Sequence, residues 1–383
     1  MEYGAYFYPI TTRCPDRRNR ADLMGYSPVD ESLLTQNATP LFRGHMQPNT
    51  YTIDGLNGTT WDDGDLSAMH TQIELAQEYG LSYFVMDTYI GRKEGKPVQE
   101  MIEPLNHLVK LNQPNFGFAC MAVMGSPRVV LPVPNVPDFE EVGRYYDRTK
   151  ESVRYLIDTL ATLYWNNPNY LQIDQRPYLP IFTSDMSPGH DGLDLPSMIE
   201  EMKEYSLKTY NVVPWVAGVV RKVKGAEALL QAGADGLTGY AFLPQFGRDS
   251  NPIQSYRQRI KDINKEWAEI QYLCNRFGVS FIPPAVVGWD ASPRGMNNSN
   301  LSDVTGVYPY TPILTSATPE LFGKHLREVA NYIKEQAPPA QHRATICAWN
   351  EVTEGAALLP KIIDGKVNPQ YLEEVKKLTM SES

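Results

Sequence analysis

The chain has 383 residues, of which 42% are hydrophobic and 21% are charged. A chain of this length and composition can bury a full core without disulfides, which excludes a largely disordered protein. Its net charge of -10 and its pI of about 5.2 argue against nucleic acid as a partner, because an acidic surface repels phosphate groups.

Short apolar runs bounded by turn residues alternate with longer amphipathic segments along the whole chain. Apolar runs of this length are typical of parallel strands that are buried on both faces. The sequence predicts eight strands: Ala5–Ile10, Tyr83–Tyr89, Phe116–Val123, Tyr178–Ser184, Val212–Val220, Gly236–Phe242, Phe281–Trp289 and Ala344–Trp349. Helical periodicity predicts eight helices that follow them: Asp65–Tyr79, Val98–Leu111, Phe139–Tyr164, Leu195–Tyr205, Ala226–Ala232, Ile253–Phe277, Pro319–Glu335 and Pro369–Leu378.

Eight strands that alternate with helices predict a (β/α)₈ TIM barrel, as one catalytic domain over residues 1–383. The alternative is a doubly wound open sheet with an extra domain, but no glycine-rich phosphate turn follows the first strand. The first βα loop, from Thr11 to Asp63, is too long for a plain connection. In a barrel this loop lies on the catalytic face, where we expect it to form one wall of the site and to contribute Trp61.

Active sites of such barrels lie where the strands end and the βα loops begin. No histidine stands at a strand end, which argues against a metal site and against a Ser-His-Asp triad. The carboxylates, amides and aromatic residues found there favour an oligosaccharide or polysaccharide, because sugar rings stack on Tyr and Trp while hydroxyls bond to polar groups. The candidate substrate-binding residues, in addition to Trp61, are Tyr8, Asp87, Tyr89, Asp185, Tyr240, Trp289, Asp290, Arg294 and Asn350.

The last predicted strand runs directly into Asn-Glu-Val-Thr-Glu-Gly, residues 350–355. If the chain turns helically after Asn350, Glu351 and Glu354 project to the same side. Glycoside hydrolysis needs two carboxyl groups at one bond, one protonated and one ionised, and close like charges raise the pKa of one of them. A capping or surface acidic pair is the alternative for this spacing alone. The position after the last strand favours Glu351 and Glu354 as the catalytic pair.

Two other strand ends carry polar side chains with a predicted geometry. Asp87 and Tyr89 have the same strand parity, so both should face the same side of the sheet. Trp289 is either a platform for a sugar ring or a core residue. Asp290 and Arg294 are expected to pair and to fix the loop beneath the site, or to form a purely structural ion pair.

Five motifs, in this order along the chain, resemble those of the family-99-like glycoside hydrolases, a group also described as WbsX-like and related to endo-α-mannosidases. They are a Tyr-Phe-Tyr-Pro strand, an Asp…Met…Gln-Ile…Ala…Tyr-Gly helix, an Ile-Asp-Gln-Arg-Pro element, a Gly-Trp-Asp…Pro-Arg segment and Ala-Trp-Asn-Glu…Glu-Gly. In this chain they lie at Tyr6–Pro9, Asp65–Gly80, Asn169–Pro177, Gly288–Arg294 and Ala348–Gly355.

This resemblance implies a (β/α)₈ fold and a retaining hydrolase that acts on α-linked sugars without a metal or an organic cofactor. In the related endo-α-mannosidases the first glutamate is a base on the sugar's own 2-hydroxyl, which attacks the anomeric carbon. The second glutamate is the acid and later the base. Carried over, Glu351 is the base and Glu354 the acid/base. Two alternatives stay open: a glycosyltransferase or transglycosylase of polysaccharide assembly, and a non-catalytic carbohydrate-binding barrel.

The sequence predicts little about assembly, and the oligomeric state stays open. The four cysteines are far apart and lack metal-ligand spacing, so they are expected to be free thiols, which favours a reducing compartment. No secretory signal and no stretch long enough to span a membrane is visible. A cytoplasmic location without a membrane span is therefore the expectation, although a trimmed signal would leave the same sequence.

Overall fold

The computed structural model of the chain describes residues 1–9, 63–124, 148–183, 192–243, 253–291, 312–351, 354–363 and 366–382. The long loop predicted after the first strand therefore lies outside the described residues, except for Asp63 at its end. Within the described ranges, no helix combines the length and the apolar composition needed to cross a membrane.

The strands and helices follow one another in the predicted alternation. The strands are β1 (Glu2–Phe7), β2 (Tyr83–Lys93), β3 (Lys96–Glu100), β4 (Gly117–Met124), β5 (Gln172–Ile173), β6 (Arg176–Thr183), β7 (Trp215–Val220), β8 (Gly236–Gly239), β9 (Ile253–Ser255), β10 (Phe281–Ile282), β11 (Ala285–Val286), β12 (Trp289–Asp290), β13 (Ile313–Thr315), β14 (Arg343–Cys347), β15 (Lys361–Ile363) and β16 (Lys366–Asn368). The helices are α1 (Leu66–Glu78), α2 (Glu103–Leu111), α3 (Lys150–Leu163), α4 (Leu195–Tyr210), α5 (Ala226–Gln231), α6 (Tyr256–Phe277), α7 (Pro319–Gln336) and α8 (Gln370–Glu382).

The central sheet is parallel and follows the order of the chain. β1, β2, β4, β6, β7 and β8 are consecutive neighbours, and β14 pairs with the other edge of β1. β10 pairs with β8 and β11 pairs with β14, while Pro283 and Pro284 separate β10 from β11. Because proline cannot donate to a ladder, the seventh barrel strand is split into two short pieces that link both edges of the sheet. The predicted (β/α)₈ fold is confirmed.

The start of the second predicted helix, Val98–Leu111, is wrong. Residues 96–100 instead form β3, which pairs antiparallel with β2. Glu94 and Gly95 connect the two strands with φ angles of 52° and 79°, the left-handed conformation that a two-residue hairpin turn requires. The helix begins only at Glu103. The hairpin extends the second barrel strand beyond the sheet, on the side where the strand-end residues lie.

The barrel interior is lined by buried tyrosines rather than by aliphatic residues alone. Tyr6 donates its hydroxyl to the carbonyl of Gly239 at 2.7 Å, and the hydroxyls of Tyr83 and Thr345 are 3.0 Å apart. Burial raises the pKa of both tyrosines, so these hydroxyls stay protonated. A separate and larger apolar layer packs the outer face of the strands against the helices. The side chains that enter the barrel from its carboxyl end therefore meet a partly polar floor.

Candidate active site

The last barrel strand, β14, leads into a turn that carries both predicted catalytic residues. The backbone N–H of Trp349 donates to the carbonyl of Tyr6 at 2.7 Å, so the chain follows β1 up to this point. Beyond it, the N–H of Ala356 donates to the carbonyl of Glu351 at 3.0 Å. A bond of this span is typical of the end of a helical turn. Glu351 and Glu354 thus both belong to a closed turn, from Glu351 to Ala356, at the carboxyl end of the barrel.

Gly355 ends this turn, with a φ of 61°. This left-handed conformation is open to glycine at no steric cost, whereas a Cβ would be strained there. The chain then folds back, since the N–H of Ala348 donates to the carbonyl of Ala356 at 2.6 Å. The returning chain leaves Glu351 only 6% exposed and Glu354 only 8% exposed. Two buried carboxyl groups at one turn are costly unless they have partners or a task.

Tyr240, which directly follows β8, reaches across the barrel to one of these carboxyl groups. Its hydroxyl donates to Glu351 Oε1 at 3.3 Å. Its ring packs against those of Tyr6 and Phe182, with centroids 4.9 Å and 5.6 Å away. Burial raises the pKa of Tyr240 well above its usual value, and the negative charge of Glu351 raises it further. Tyr240 is therefore a protonated donor whose position is fixed by the barrel interior.

Asp87 brings a third carboxyl group to the same place. The hydroxyl of Tyr89 donates to Asp87 Oδ2 at 3.1 Å, which confirms the shared strand parity of the two residues. The pKa of Asp87 is raised to about 8, and burial is the largest cause. The hydrogen bond from Tyr89 acts against this shift, and the charge of Glu354 adds to it. Asp87 Oδ1 is buried and has no hydrogen-bond partner among the described residues. Asp87 is thus mostly protonated at neutral pH and has one oxygen available to a ligand.

Cys347, the last residue of β14, lies within electrostatic reach of all three carboxyl groups. Burial raises the pKa of its thiol, and the charges of Glu351, Glu354 and Asp87 raise it further, in that order. The same three charges act on the hydroxyl of Tyr240. The structure therefore brings Asp87, Glu351 and Glu354 to one end of the barrel, as their positions at strand ends predicted.

Asn350 and Tyr8 are joined to each other. Asn350 Oδ1 accepts from the backbone N–H of Tyr8 at 2.9 Å, and Asn350 Nδ2 donates to the carbonyl of Tyr8 at 2.6 Å. Asn350 is 0% exposed, so its side chain acts as an extra strand partner for the end of β1. The side chain of Tyr8 packs against Tyr89 and Met101. Asn350 therefore links the turn after β14 to the end of β1 within the site.

Trp289 and Asp290 form β12 and are both buried, with 5% and 3% of their surface exposed. The ring of Trp289 belongs to the cluster that also contains Tyr6 and Tyr240. Its indole Nε1 is buried and has no hydrogen-bond partner in the described parts of the chain. The other predicted site residues lie outside the described residues: Trp61, Asp185 and Arg294.

Sequence reasoning missed three side chains that support the site from behind: Asp63, Gln72 and Trp349. All three are 0% exposed. Gln72 was the recognisable signal, because it lies on the buried face of α1 beside Met69 and Ile73, where a polar residue needs a partner. The partner is Trp349, 277 residues further along the chain. A contact between such distant positions cannot be read from periodicity.

The arrangement is suited to acid and base chemistry. It contains two carboxyl groups at one turn, a third beside them and a tyrosine donor, around a partly polar barrel floor. In the part of the chain that the structure describes, no group of three or more His, Cys, Asp or Glu side chains has the geometry to hold a metal ion.

A family model described as "Glycosyltransferase WbsX" matches residues 31–375, which include all of the strand ends from β2 to β14. The chain belongs to the WbsX family. The resemblance to this family that the sequence motifs indicated is thereby confirmed. No curated protein matches the WbsX-family chain in sequence.

Two solved structures of the GH99 endo-α-mannosidase from Bacteroides thetaiotaomicron are similar to this WbsX-family chain over its whole length. One has 13% sequence identity and a TM-score of 0.59, and the likeness covers 100% of this chain and 97% of that chain. The other, in complex with BIS-TRIS-propane, has 13% identity and a TM-score of 0.58, with 100% and 96% covered. At this identity the likeness establishes a shared fold.

Proposed function

We propose that the protein is a retaining glycoside hydrolase that acts on α-linked oligosaccharides or polysaccharides. The observation that carries the proposal is the pair Glu351 and Glu354, buried at one closed turn at the carboxyl end of the barrel. The shared fold with GH99 endo-α-mannosidases supports it. We further propose that residues 1–383 form one catalytic domain and that the reaction needs no cofactor.

The two glutamates have different tasks in this proposal. Glu351 accepts a hydrogen bond from Tyr240 and acts as the base that takes the proton of the substrate's own 2-hydroxyl. That hydroxyl oxygen then attacks the anomeric carbon while Glu354 gives its proton to the departing oxygen. In the second step, Glu354 takes a proton from water, whose oxygen attacks the anomeric carbon and opens the 1,2-anhydro ring, while Glu351 returns its proton to the 2-oxygen. The configuration at the anomeric carbon is retained because it is inverted twice.

Substrate recognition would rest on the polar atoms that the protein leaves without partners. Asp87 Oδ1 and the indole Nε1 of Trp289 are both buried, and neither has a hydrogen-bond partner among the described residues. A sugar supplies hydroxyls that both donate and accept, so it can satisfy a carboxyl oxygen and an indole N–H at once. We propose that the other predicted substrate-binding residues also take part in recognition, whether or not they have partners within the protein: Tyr8, Trp61, Tyr89, Asp185, Tyr240, Asp290, Arg294 and Asn350.

Transfer to a sugar acceptor is the second candidate, favoured by the glycosyltransferase description of the matching family. The same pair of glutamates serves it, because an acceptor hydroxyl replaces water in the second step. The two candidates differ in one measurable respect, which is whether product formation depends on an added acceptor. A non-catalytic barrel would bind a sugar and turn over none.

The test uses aryl α-glycosides with leaving groups of graded acidity. Glu354→Gln should lower the rate by about 10²–10⁴-fold on poor leaving groups and much less on activated ones, because these need little protonation. Glu351→Gln should lower it on all of them. Glu269→Gln, an exposed glutamate on α6, is the matched control and should have no effect.

A 2-deoxy-2-fluoro sugar with a good leaving group separates the proposed route from a double displacement. Without the 2-hydroxyl, neither turnover nor a covalent adduct should be found by mass spectrometry. A stable adduct on Glu351 would instead refute participation of the 2-hydroxyl and keep the hydrolase assignment. If no glycoside is processed with or without an acceptor, the protein is not a glycosidase.

A further inference from the structure

Behind the catalytic turn, three hydrogen bonds join four fully buried side chains into a ring that the backbone closes. Trp349 Nε1 donates to Gln72 Oε1 at 2.8 Å, and Gln72 Nε2 donates to Asp63 Oδ1 at 2.7 Å. Asn350 Nδ2 donates to Asp63 Oδ2 at 3.3 Å. Because Trp349 and Asn350 are consecutive, their peptide bond completes the ring. Each of the four is 0% exposed.

The amide groups of the ring also contact atoms outside it, so they are satisfied on more than one side. The amide nitrogen of Gln72 also lies 3.8 Å from Met69 Sδ, and both Nδ2 and Oδ1 of Asn350 bond to the backbone of Tyr8. Satisfied buried networks are rigid, whereas the loss of one member leaves the others unpaired in a medium of low dielectric constant. The ring therefore has one arrangement, and the side-chain directions of Trp349 and Asn350 follow from it.

We infer that Gln72 and Asp63 are positioning residues that set the place of the Glu351 carboxyl group through Trp349 and Asn350. The inference rests on the proposed function, because it assigns Glu351 the role of base. The physical reason is that Asn350 directly precedes Glu351, so a rotation of the 349–350 segment moves the next residue with it. Glu354 is three residues further along the chain and directly precedes Gly355, whose left-handed conformation ends the turn.

This difference between the glutamates makes the inference specific. A shift of Glu351 slows removal of the 2-hydroxyl proton whatever group leaves, so kcat should fall by the same factor on every aryl glycoside. A shift of Glu354 would instead make the rate depend more steeply on the leaving group. A purely structural role would lower the melting temperature and leave kcat per folded molecule unchanged.

The variants are Gln72→Met, which removes the amide at similar volume, and Trp349→Phe, which removes only the ring's first donor and keeps an aromatic side chain. A displacement of about 1 Å in a catalytic group costs on the order of 10²-fold, so each variant should lower kcat by about 10- to 100-fold, with KM changed by less than about 3-fold. The double variant should be no slower than the slower single one, because each breaks the same ring.

The matched control is Ser206→Ala on α4. It removes a bond of 2.7 Å from a buried hydroxyl to the carbonyl of Val212, outside the site. It should lower stability and leave kcat unchanged. Unchanged kcat in folded Gln72→Met and Trp349→Phe, or a steeper leaving-group dependence in either, would overturn the inference.

A crystal structure of Gln72→Met gives a readout that needs no activity. The inference requires Glu351 Oε1 to move away from the Tyr240 hydroxyl, which lies 3.3 Å from it in the intact protein. If this contact is unchanged, the positioning role is refuted even where the glycosidase proposal holds. If the contact is lost but no glycoside is ever hydrolysed, the proposed function fails and the mechanical link between the ring and Glu351 stands.

Discussion

Replacement of Asp87 by asparagine should remove a specific pH dependence of stability. Burial raises the pKa of Asp87 from 3.8 to about 8, so the folded protein keeps this group protonated where the unfolded chain ionises it. Because the pKa of Asp87 is higher in the folded protein than in the unfolded chain, protonated Asp87 contributes its full stabilisation below about pH 4. This stabilisation is lost as the pH rises to about 8. Asparagine keeps an acceptor for the hydroxyl of Tyr89 and cannot ionise.

The magnitude follows from the linkage slope of about 1.4 kcal/mol per pH unit for one proton. Between pH 5 and 7 this amounts to about 3 kcal/mol, and the partial exposure of Asp87 reduces it to about 2 kcal/mol. Urea unfolding at both pH values measures it: from pH 5 to 7, the wild-type protein should lose about 2 kcal/mol more than Asp87→Asn. Parallel profiles for the two proteins would refute the burial argument.

The same ionisation should limit activity at alkaline pH, because above about pH 8 the carboxylate of Asp87 adds a negative charge beside Glu351 and Glu354. The alkaline limb of the wild-type profile of kcat/KM should therefore be absent or shifted upward in Asp87→Asn. An identical limb in both proteins would assign it to another group.

Three further predictions concern the turn, the helical layer and metal ions. Gly355→Ala, at a φ of 61°, should lower the free energy of unfolding by about 1 kcal/mol and lower kcat at least about 10-fold. Its control is Gly278→Ala, at a φ of 69° with open space around it, which should cost similar stability and leave kcat unchanged. Burial lowers the pKa of His325 from 6.5 to about 3, so stability should fall as the pH drops from 6.5 toward 3, by about 2 kcal/mol at pH 5, and His325→Met should abolish this component in urea unfolding. Activity should survive EDTA unchanged, and a loss restored by added divalent metal would contradict the metal-free mechanism.

Periodicity and strand-end position were sufficient to predict the barrel and the place of Asp87, Glu351 and Glu354. Parallel strands that are buried on both faces appear as apolar runs, and the chain order of the runs is the order of the strands in the sheet. Strand parity alone placed Tyr89 beside Asp87. These features depend on neighbours in sequence or on the regular geometry of the fold.

The hairpin of β2 with β3 and the buried ring could not be predicted in the same way. The helical pattern that starts at Val98 is real for α2, but the tight turn at Glu94 and Gly95 overrides it for the first residues. The ring depends on side chains 277 and 287 residues apart in the chain, at positions where their burial follows only from the closed barrel. What the sequence showed was a polar residue, Gln72, on an apolar helix face.

The split of the seventh strand places Trp289 in a different sheet from the strand that leads to Glu351 and Glu354. Phe281–Trp289 was predicted as one strand, but after Pro283 and Pro284 the chain returns to the barrel only briefly in β11, and Trp289 then pairs with β13 instead. β13 also pairs with β9, so the small sheet that carries Trp289 joins the segments just before α6 and α7. The glutamates depend on the barrel and on α1, whereas Trp289 depends on these later connections. If Trp289 binds the sugar as proposed, sequence changes in the later connections should alter which sugar is bound without moving Glu351 and Glu354.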